Sequence, residues 1–372
     1  MHIRGRIPTA GLADGVVTVS DEGLITEVTA AAGGEPTDDV ILPGLIDIHC
    51  HGGGGHTFTT TDPEQARAVA AHHAARGTTG IIASLVTAPA DVLLSQVRAL
   101  APLVAAGELL GLHLEGPFLS RARRGAQAPE FIRDPDPALA ADLLAAADGA
   151  IKVVTLAPER PGATDLINLF RSAGVIVSLG HTDATYDVMA EGLAALDGAG
   201  LVTHLANGMP PLHHRSSGPV AAALVAAAAD EASVELVADG VHVDAGFTRL
   251  AFATAAPGRV VLITDAMTAA GMADGTYDLG PQRVTVADGV ARLTSDSGAI
   301  AGGTSSLLQV VATARAAGVP LADAVRAASV APSRVLGREG PGMLTPGTPA
   351  DMVVADASLR VRRVLRHGRR VR

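Results

Sequence analysis

Six side chains able to bind a metal ion or move a proton stand out by their surroundings. They are His49 and His51 in ILPGLIDIHCHGG, Glu115 in GLHLEGP, His181 in VIVSLGHTD, His204 in LVTHLANG and Asp265 in VVLITDA. Each lies at the end of a predicted β-strand or within two residues of one. Each segment reads as a short apolar run, then the polar residue, then a loop rich in Gly, Pro, Asn or Asp. His49 and His51, two apart, share one face of an extended chain, so their nitrogens can reach one ion. Glu115, His181 and His204 add one oxygen and two nitrogens, a three-donor set that leaves a position for water. Asp265 ends the last strand, where a carboxylate can take a proton from that water and hand it on. A lone buried histidine is more often a hydrogen-bonded core residue than a ligand. Ligation explains five such residues at strand ends better than coincidence does. The pattern is that of a metal-dependent hydrolase.

These residues meet only if the strand ends meet. Eight strand-like runs, at about 40–49, 79–86, 108–115, 151–157, 175–181, 200–205, 233–239 and 259–265, are separated mostly by Ala-rich helical segments. Segments 62–77 and 184–198 carry apolar residues at the three-to-four spacing of a helix. Alternating β and α elements predict parallel strands with crossover helices. Eight of them predict a closed (β/α)8 TIM barrel of ~250 residues, with every strand C-terminus opening on one face. After the eighth strand the rhythm breaks: residues 276–295 read as a β-hairpin with Asp288-Gly289 as the turn. Helices resume at about 304–317 and 321–329. Segments 1–39 and 342–372 read as short strands, each too small to bury a core alone. They are expected to pair into one small β-sandwich-like domain beside a barrel domain of residues 40–341. The seven arginines between Arg360 and Arg372 alternate with Val and Leu and read as an exposed strand face.

Composition narrows the partners. The chain has 372 residues and a net charge of −10, with no basic run long enough to track a nucleic-acid backbone. Trp is absent, Tyr numbers 2 and Phe 6, which leaves little to stack on bases. Mean hydropathy is +0.32, but the apolar residues fall in short runs, so no membrane span is expected. The N-terminus lacks the apolar core of a signal peptide, and a single cysteine, Cys50, suits a reducing compartment; a cytoplasmic protein is expected. Cys50 should point away from His49 and His51 into the core. His72 and His73, mid-helix, are expected to face solvent, whereas His113 shares a strand face with Glu115 and suits either packing or support of the site. The only lysine, Lys152, opens its strand at the far end of the barrel and cannot bridge two ions as a carboxylated lysine does in other hydrolases of this type. Glu115 is the evident bridge.

The motifs HLEGP (113–117), GHTDA (180–184), THLANGMPP (203–211), DGVHVD (239–244), TDA (264–266) and GGTSSL (302–307) occur in this order. With PGLIDIHCHG (43–52) and GTPADMVV (347–354), the chain resembles the N-acetylglucosamine-6-phosphate deacetylases of the amidohydrolase superfamily over essentially its whole length. The resemblance implies a metal-dependent barrel with a small β-domain built from both termini. It implies that Glu115, His181 and His204 bind the main ion, and that His49 and His51 hold a second with Glu115 bridging. Two divalent ions are therefore expected, zinc first, with iron, manganese or cobalt as alternatives. Asp265 would be the proton carrier in hydrolysis of the acetamide. Asn207, Gly208, Arg215 and His242 match positions that contact the substrate phosphate, part of them from a neighbouring subunit, so a homodimer is implied. His213 and His214 are weaker candidates. The chain departs from the family at RRGAQAPE, where Gln127 stands in place of a substrate-contacting histidine; an amide can donate a hydrogen bond but cannot become cationic. A deacetylase of a related sugar phosphate, such as the galactosamine epimer, is the alternative. A non-catalytic scaffold is the remote one, and no ligand is lost as it would require.

Overall fold

The computed structural model describes residues 1–33, 37–295, 298–338 and 342–371. Strands β1 (His2–Ile7), β2 (Leu12–Val19) and β3 (Ile25–Ala30) form an antiparallel meander. Strand β4 (Val40–Pro43) joins β1 in parallel. The chain then enters the barrel through β5 (Leu45–Asp47), β6 (Thr78–Val86), β7 (Gly111–Glu115) and β8 (Ile151–Leu156). It continues through β9 (Ile176–Leu179), β10 (Gly200–Val202), β11 (Ala232–Leu236) and β12 (Val260–Leu262). Beyond these come β13 (Gly275–Leu279), β14 (Gln282–Ala287) and β15 (Val290–Leu293), then β16 (Met352–Ala355), β17 (Val361–Arg366) and β18 (Arg369–Arg370).

Strands β5 to β12 lie side by side in sequence order, all neighbours parallel. The sheet closes through its strand ends: the Asp265 N–H donates to the His49 carbonyl at 3.0 Å and the His51 N–H to the Ala266 carbonyl at 2.7 Å. Those two hydrogen bonds bring the first and last motifs together, as a TIM barrel requires. Helices fill the crossovers, among them α1 (Pro63–Ala74), and several start on side-chain caps. Asp62, Asp136, Thr185 and Asp244 each accept a backbone N–H of the first turn, satisfying donors that the helix itself leaves open. Among the described residues no helix is long and apolar enough to cross a membrane.

The predicted first strand, 40–49, is two strands in two sheets. Val40–Pro43 pairs with β16 and belongs to a seven-strand sheet ordered β18-β17-β16-β4-β1-β2-β3, whereas Leu45–Asp47 pairs with β6. The chain crosses between them at Gly44, where an added Cβ would lie 2.1 Å from Thr79 Oγ1. The terminal sheet therefore takes in residues beyond position 39. Its N- and C-terminal strands share one apolar cluster that includes Ile7, Val17, Ile41, Met352 and Leu365. Arg362 and Arg363 both lie exposed on β17, although as neighbours they point to opposite faces of the strand; Arg372 lies outside the described residues. The predicted hairpin has a third strand, with Asp288-Gly289 forming the turn between β14 and β15 in left-handed conformation at both residues.

Candidate active site

The barrel mouth gathers all six residues. His49 Nε2 and His51 Nε2 are 3.2 Å apart, and Asp265 Oδ1 lies 3.5 and 3.3 Å from them. Glu115 Oε1 sits 3.1 Å from His181 Nε2 and 3.0 Å from His204 Nε2, and those two nitrogens are 3.1 Å apart. Glu115 also links the two groups: Oε1 is 3.4 Å from His49 Nε2 and Oε2 is 3.2 Å from His51 Nε2. All six are buried. Each group of three places its donor atoms within 4.8 Å of one another.

The rings are aimed by what their other nitrogens touch. His49 Nδ1 donates to Glu235 Oε2 at 2.9 Å, His51 Nδ1 to the Ser84 carbonyl at 3.1 Å, and His181 Nδ1 to the Arg123 carbonyl at 2.8 Å. Each acceptor holds the proton on Nδ1 and leaves the Nε2 lone pair facing inward, the arrangement a metal-binding imidazole needs. Lone pairs this close repel unless a proton or a cation lies among them, so the donor set fits divalent ions. In the ion-free chain protons take that place. Burial alone would lower the His51 pKa, but hydrogen bonds and charge from Asp265 and Glu115 push it up to about 9. His49 is likewise raised, with Glu235 and Glu115 outweighing its burial. Burial would raise Glu115 and Asp265, yet the surrounding imidazoles hold both carboxyls well below the usual range.

Three of these residues have left-handed backbone: His181 at φ 45°, His204 at φ 25° and Asp265 at φ 49°. Such conformations cost L-residues of the order of 1–3 kcal/mol each and persist where the surroundings impose them. Gly208 supports one of them, since a Cβ there would lie 2.8 Å from His181 Nδ1. Beneath the site, His113 bridges Ser84 Oγ and Thr155 Oγ1 at 2.9 and 2.8 Å, and Thr155 continues to Thr203 at 2.8 Å. Its ring also stands edge-on to His49, with centroids 4.5 Å apart. His113 is a neutral floor to the site, its pKa lowered by burial.

Above the donors lies a cavity of about 260 Å3, lined by His51, Glu115, His181, His204 and Asp265 together with Gln127, Asn207, Gly208, His242, Leu279 and Ile300. His242 Nδ1 donates to Asp239 Oδ2 at 2.8 Å, and its Nε2 lies 3.7 Å from Asp265 Oδ2. The Gln127 amide is held at both ends: Oε1 accepts the Thr87 N–H at 2.9 Å and Nε2 donates to Glu115 Oε2 at 2.5 Å. Arg215 is the exception. It lies exposed in the 211–216 loop, among exposed His213 and His214, and does not line the cavity. Cys50 is buried and faces away from the site, with Sγ 3.4 Å from His73 Nε2. His73 is fully buried and His72 half-buried, contrary to the expectation of a solvent-facing pair, because α1 turns that face toward the Gly52–Gly55 loop. Sequence reasoning missed Glu235. Its one signal was an acid inside the apolar run ASVELVADG, where an exposed strand face would have explained it equally well.

The amidohydrolase family model matches residues 40–371. A solved structure of a mutant N-acetyl-D-glucosamine-6-phosphate deacetylase from Mycobacterium smegmatis, in complex with N-acetyl-D-glucosamine-6-phosphate, is similar at 40% identity and TM-score 0.93. That match covers 100% of this chain and 99% of the other. An N-acetylgalactosamine-6-phosphate deacetylase from Escherichia coli O157:H7 is 36% identical over 95% of this chain and 92% of its own length. An N-acetylglucosamine-6-phosphate deacetylase from Bacillus subtilis is 41% identical over 72% of this chain and 67% of its own length. The family is metal-dependent, and both donor groups can hold an ion. Whole-length similarity and a barrel mouth carrying two such groups, each with one carboxylate, lead to one conclusion: the chain belongs to the amidohydrolase family.

Proposed function

We propose that this enzyme hydrolyses the acetamide of N-acetylglucosamine 6-phosphate, giving glucosamine 6-phosphate and acetate. The observation that carries the reading is the placement of Asp265. One oxygen lies within 3.5 Å of His49 and His51, the other faces His242 at 3.7 Å, and both belong to the cavity that Glu115, His181 and His204 line. His49 and His51 would hold one divalent ion, His181 and His204 a second, and Glu115 would bridge them; zinc suits this nitrogen-rich set. When bound, such ions lower the pKa of water and polarise a carbonyl. Asp265, kept ionised by its neighbours, takes the proton from the attacking water and delivers it to the departing amine nitrogen, which leaves only when protonated. The other cavity residues bind and orient. Gln127 holds Glu115, while Asn207, the Gly208 backbone N–H and His242 offer donors to the sugar phosphate. Arg215, exposed and not among the residues that line its own cavity, would reach the phosphate in the partner of a homodimer. We place the reaction in the cytoplasm, where the buried thiol of Cys50 stays reduced.

The Escherichia coli relative favours a second reading, the galactosamine epimer, which differs only at the 4-hydroxyl. The test is acetate release from both N-acetylhexosamine 6-phosphates, before and after chelation and after zinc is restored. Faster turnover of the glucosamine compound, lost with chelator and recovered with zinc, is expected. Preference for the galactosamine compound establishes the second reading, and activity unaffected by chelation sinks the metal-dependent mechanism.

A further inference from the structure

We infer that Glu235 is a positioning residue that aligns the two ion-binding groups with each other, a reading that rests on the binuclear site proposed above. Glu235 sits on β11 with its side chain fully buried. A single oxygen, Oε2, accepts both the His49 Nδ1–H at 2.9 Å and the His204 backbone N–H at 3.1 Å. The Glu235 backbone carbonyl also accepts the N–H of Leu205 at 2.8 Å. One residue thus fixes a ring in the first group and the backbone of the second, at a position where His204 is held at φ 25°. The strand run around it is apolar, so packing gives no reason for an acid. Burying a carboxylate is costly unless it is hydrogen-bonded or paired. Its other oxygen, Oε1, is buried with no partner among the described residues, so the hydrogen bonds on Oε2 carry its attachment.

The two groups depend on Glu235 unequally. At His49 the contact is with the ring: the carboxylate keeps the proton on Nδ1, turns Nε2 toward His51 and Asp265, and makes that nitrogen a stronger donor. At His204 the contact is with the main chain, and the ring Nδ1 is buried without a partner among the described residues. Loss of the Glu235 charge therefore weakens the ion held by His49 and His51 far more than the ion held by His181 and His204.

The experiment titrates chelator-stripped protein with zinc alone, in competition with a chromogenic chelator. Glu235→Gln keeps the shape and an acceptor oxygen but removes the charge, and Glu235→Asp keeps the charge but draws it back. Outer carboxylates of this kind are worth ~10–100-fold in metal affinity, so Glu235→Gln should weaken the second zinc by about that factor, with Glu235→Asp in between. In a His49→Gln, His51→Asn background, where only the other group remains, Glu235→Gln should change zinc affinity by less than about threefold. Equal losses in both backgrounds, or none in the full chain, overturn the inference. So does failure of both Glu235 variants to fold by circular dichroism, which would make the carboxylate a core element. Acetate release by the unmodified chain separates the two levels: no release with the zinc asymmetry intact removes the deacetylase reading and leaves this one. Binding of one zinc by the unmodified chain removes the binuclear site and this inference with it, and leaves the deacetylase reading to the acetate assay.

Discussion

Two histidine pairs flank the Gly52–Gly55 loop, and the protein treats them in opposite ways. His49 and His51 follow the end of the first barrel strand; His72 and His73 stand on α1, across the loop. Burial disfavours the charged form in both places. At His51 the carboxylates of Asp265 and Glu115 overcome it and bring the pKa to about 9. At His73 burial prevails, reinforced by Arg76 and opposed only by the Gly52 carbonyl, and the pKa falls to about 4. His72, half-buried beside Arg76, falls to about 4 as well. The ring nitrogens match these states. His49 and His51 have an acceptor for Nδ1 and anions near Nε2, whereas His73 donates one N–H to the Gly52 carbonyl and keeps Nδ1 buried without a partner among the described residues. A site that attracts cations and a neutral packing element can be built from the same residue type within twenty-five positions. Nearby carboxylates decide between them.

The harshest test of this contrast goes to the carboxylate that both His49 and His51 face. Asp265→Asn should lower turnover by ~10²–10⁴-fold, the usual contribution of general acid–base catalysis, while elemental analysis finds the ions largely retained. Near-normal turnover would assign the proton to another group. Next in size, His49→Gln with His51→Asn should reduce bound ions from close to two to about one. The matched change His72→Gln with His73→Gln should leave occupancy intact, and equal losses would erase the contrast.

Stability against pH sharpens it further, because the two pairs predict opposite signs. The His73 pKa of about 4 lies below its unfolded value of ~6.5. Its contribution is therefore present above pH ~6.5 and lost as pH falls toward 4, by ~2–3 kcal/mol, and His73→Gln should flatten that limb in denaturant titrations. The His51 pKa of about 9 lies above its unfolded value, so the metal-free protein should hold this contribution below pH ~6.5 and lose it as pH rises through 9. Melting of chelated protein that is insensitive to pH between 7 and 9 would contradict the imidazolium–carboxylate cluster. The smallest effect concerns a third pair, His213 and His214, exposed beside Arg215. Arg215→Ala should weaken binding of the phosphorylated substrate by ~1.5–3 kcal/mol, about tenfold or more, and barely affect the unphosphorylated sugar. Alanine at both histidines should matter less, and equal losses on the two substrates would make Arg215 structural.

What could be read from the sequence follows from short-range rules. Strand alternation puts His49 and His51 on one face and Cys50 on the other, and the βα rhythm sends Glu115, His181, His204 and Asp265 to one rim; the structure places all of them so. Those inferences need only local periodicity and the geometry of a closed parallel sheet. Other features depended on contacts between residues far apart in the chain. The run 40–49 splits because Gly44 passes against Thr79 and Val40–Pro43 finds β16, a partner more than three hundred residues away. Glu235 gains its meaning only when closure brings it to His49, 186 positions distant. His73 is buried because the Gly52–Gly55 loop folds over α1, and Arg215 lies in an exposed loop and does not line its own cavity. Periodicity within a segment dictates which face a side chain takes. What that face meets, and so whether a histidine is charged, neutral or a metal ligand, is set by tertiary neighbours whose fields and hydrogen bonds no local pattern encodes.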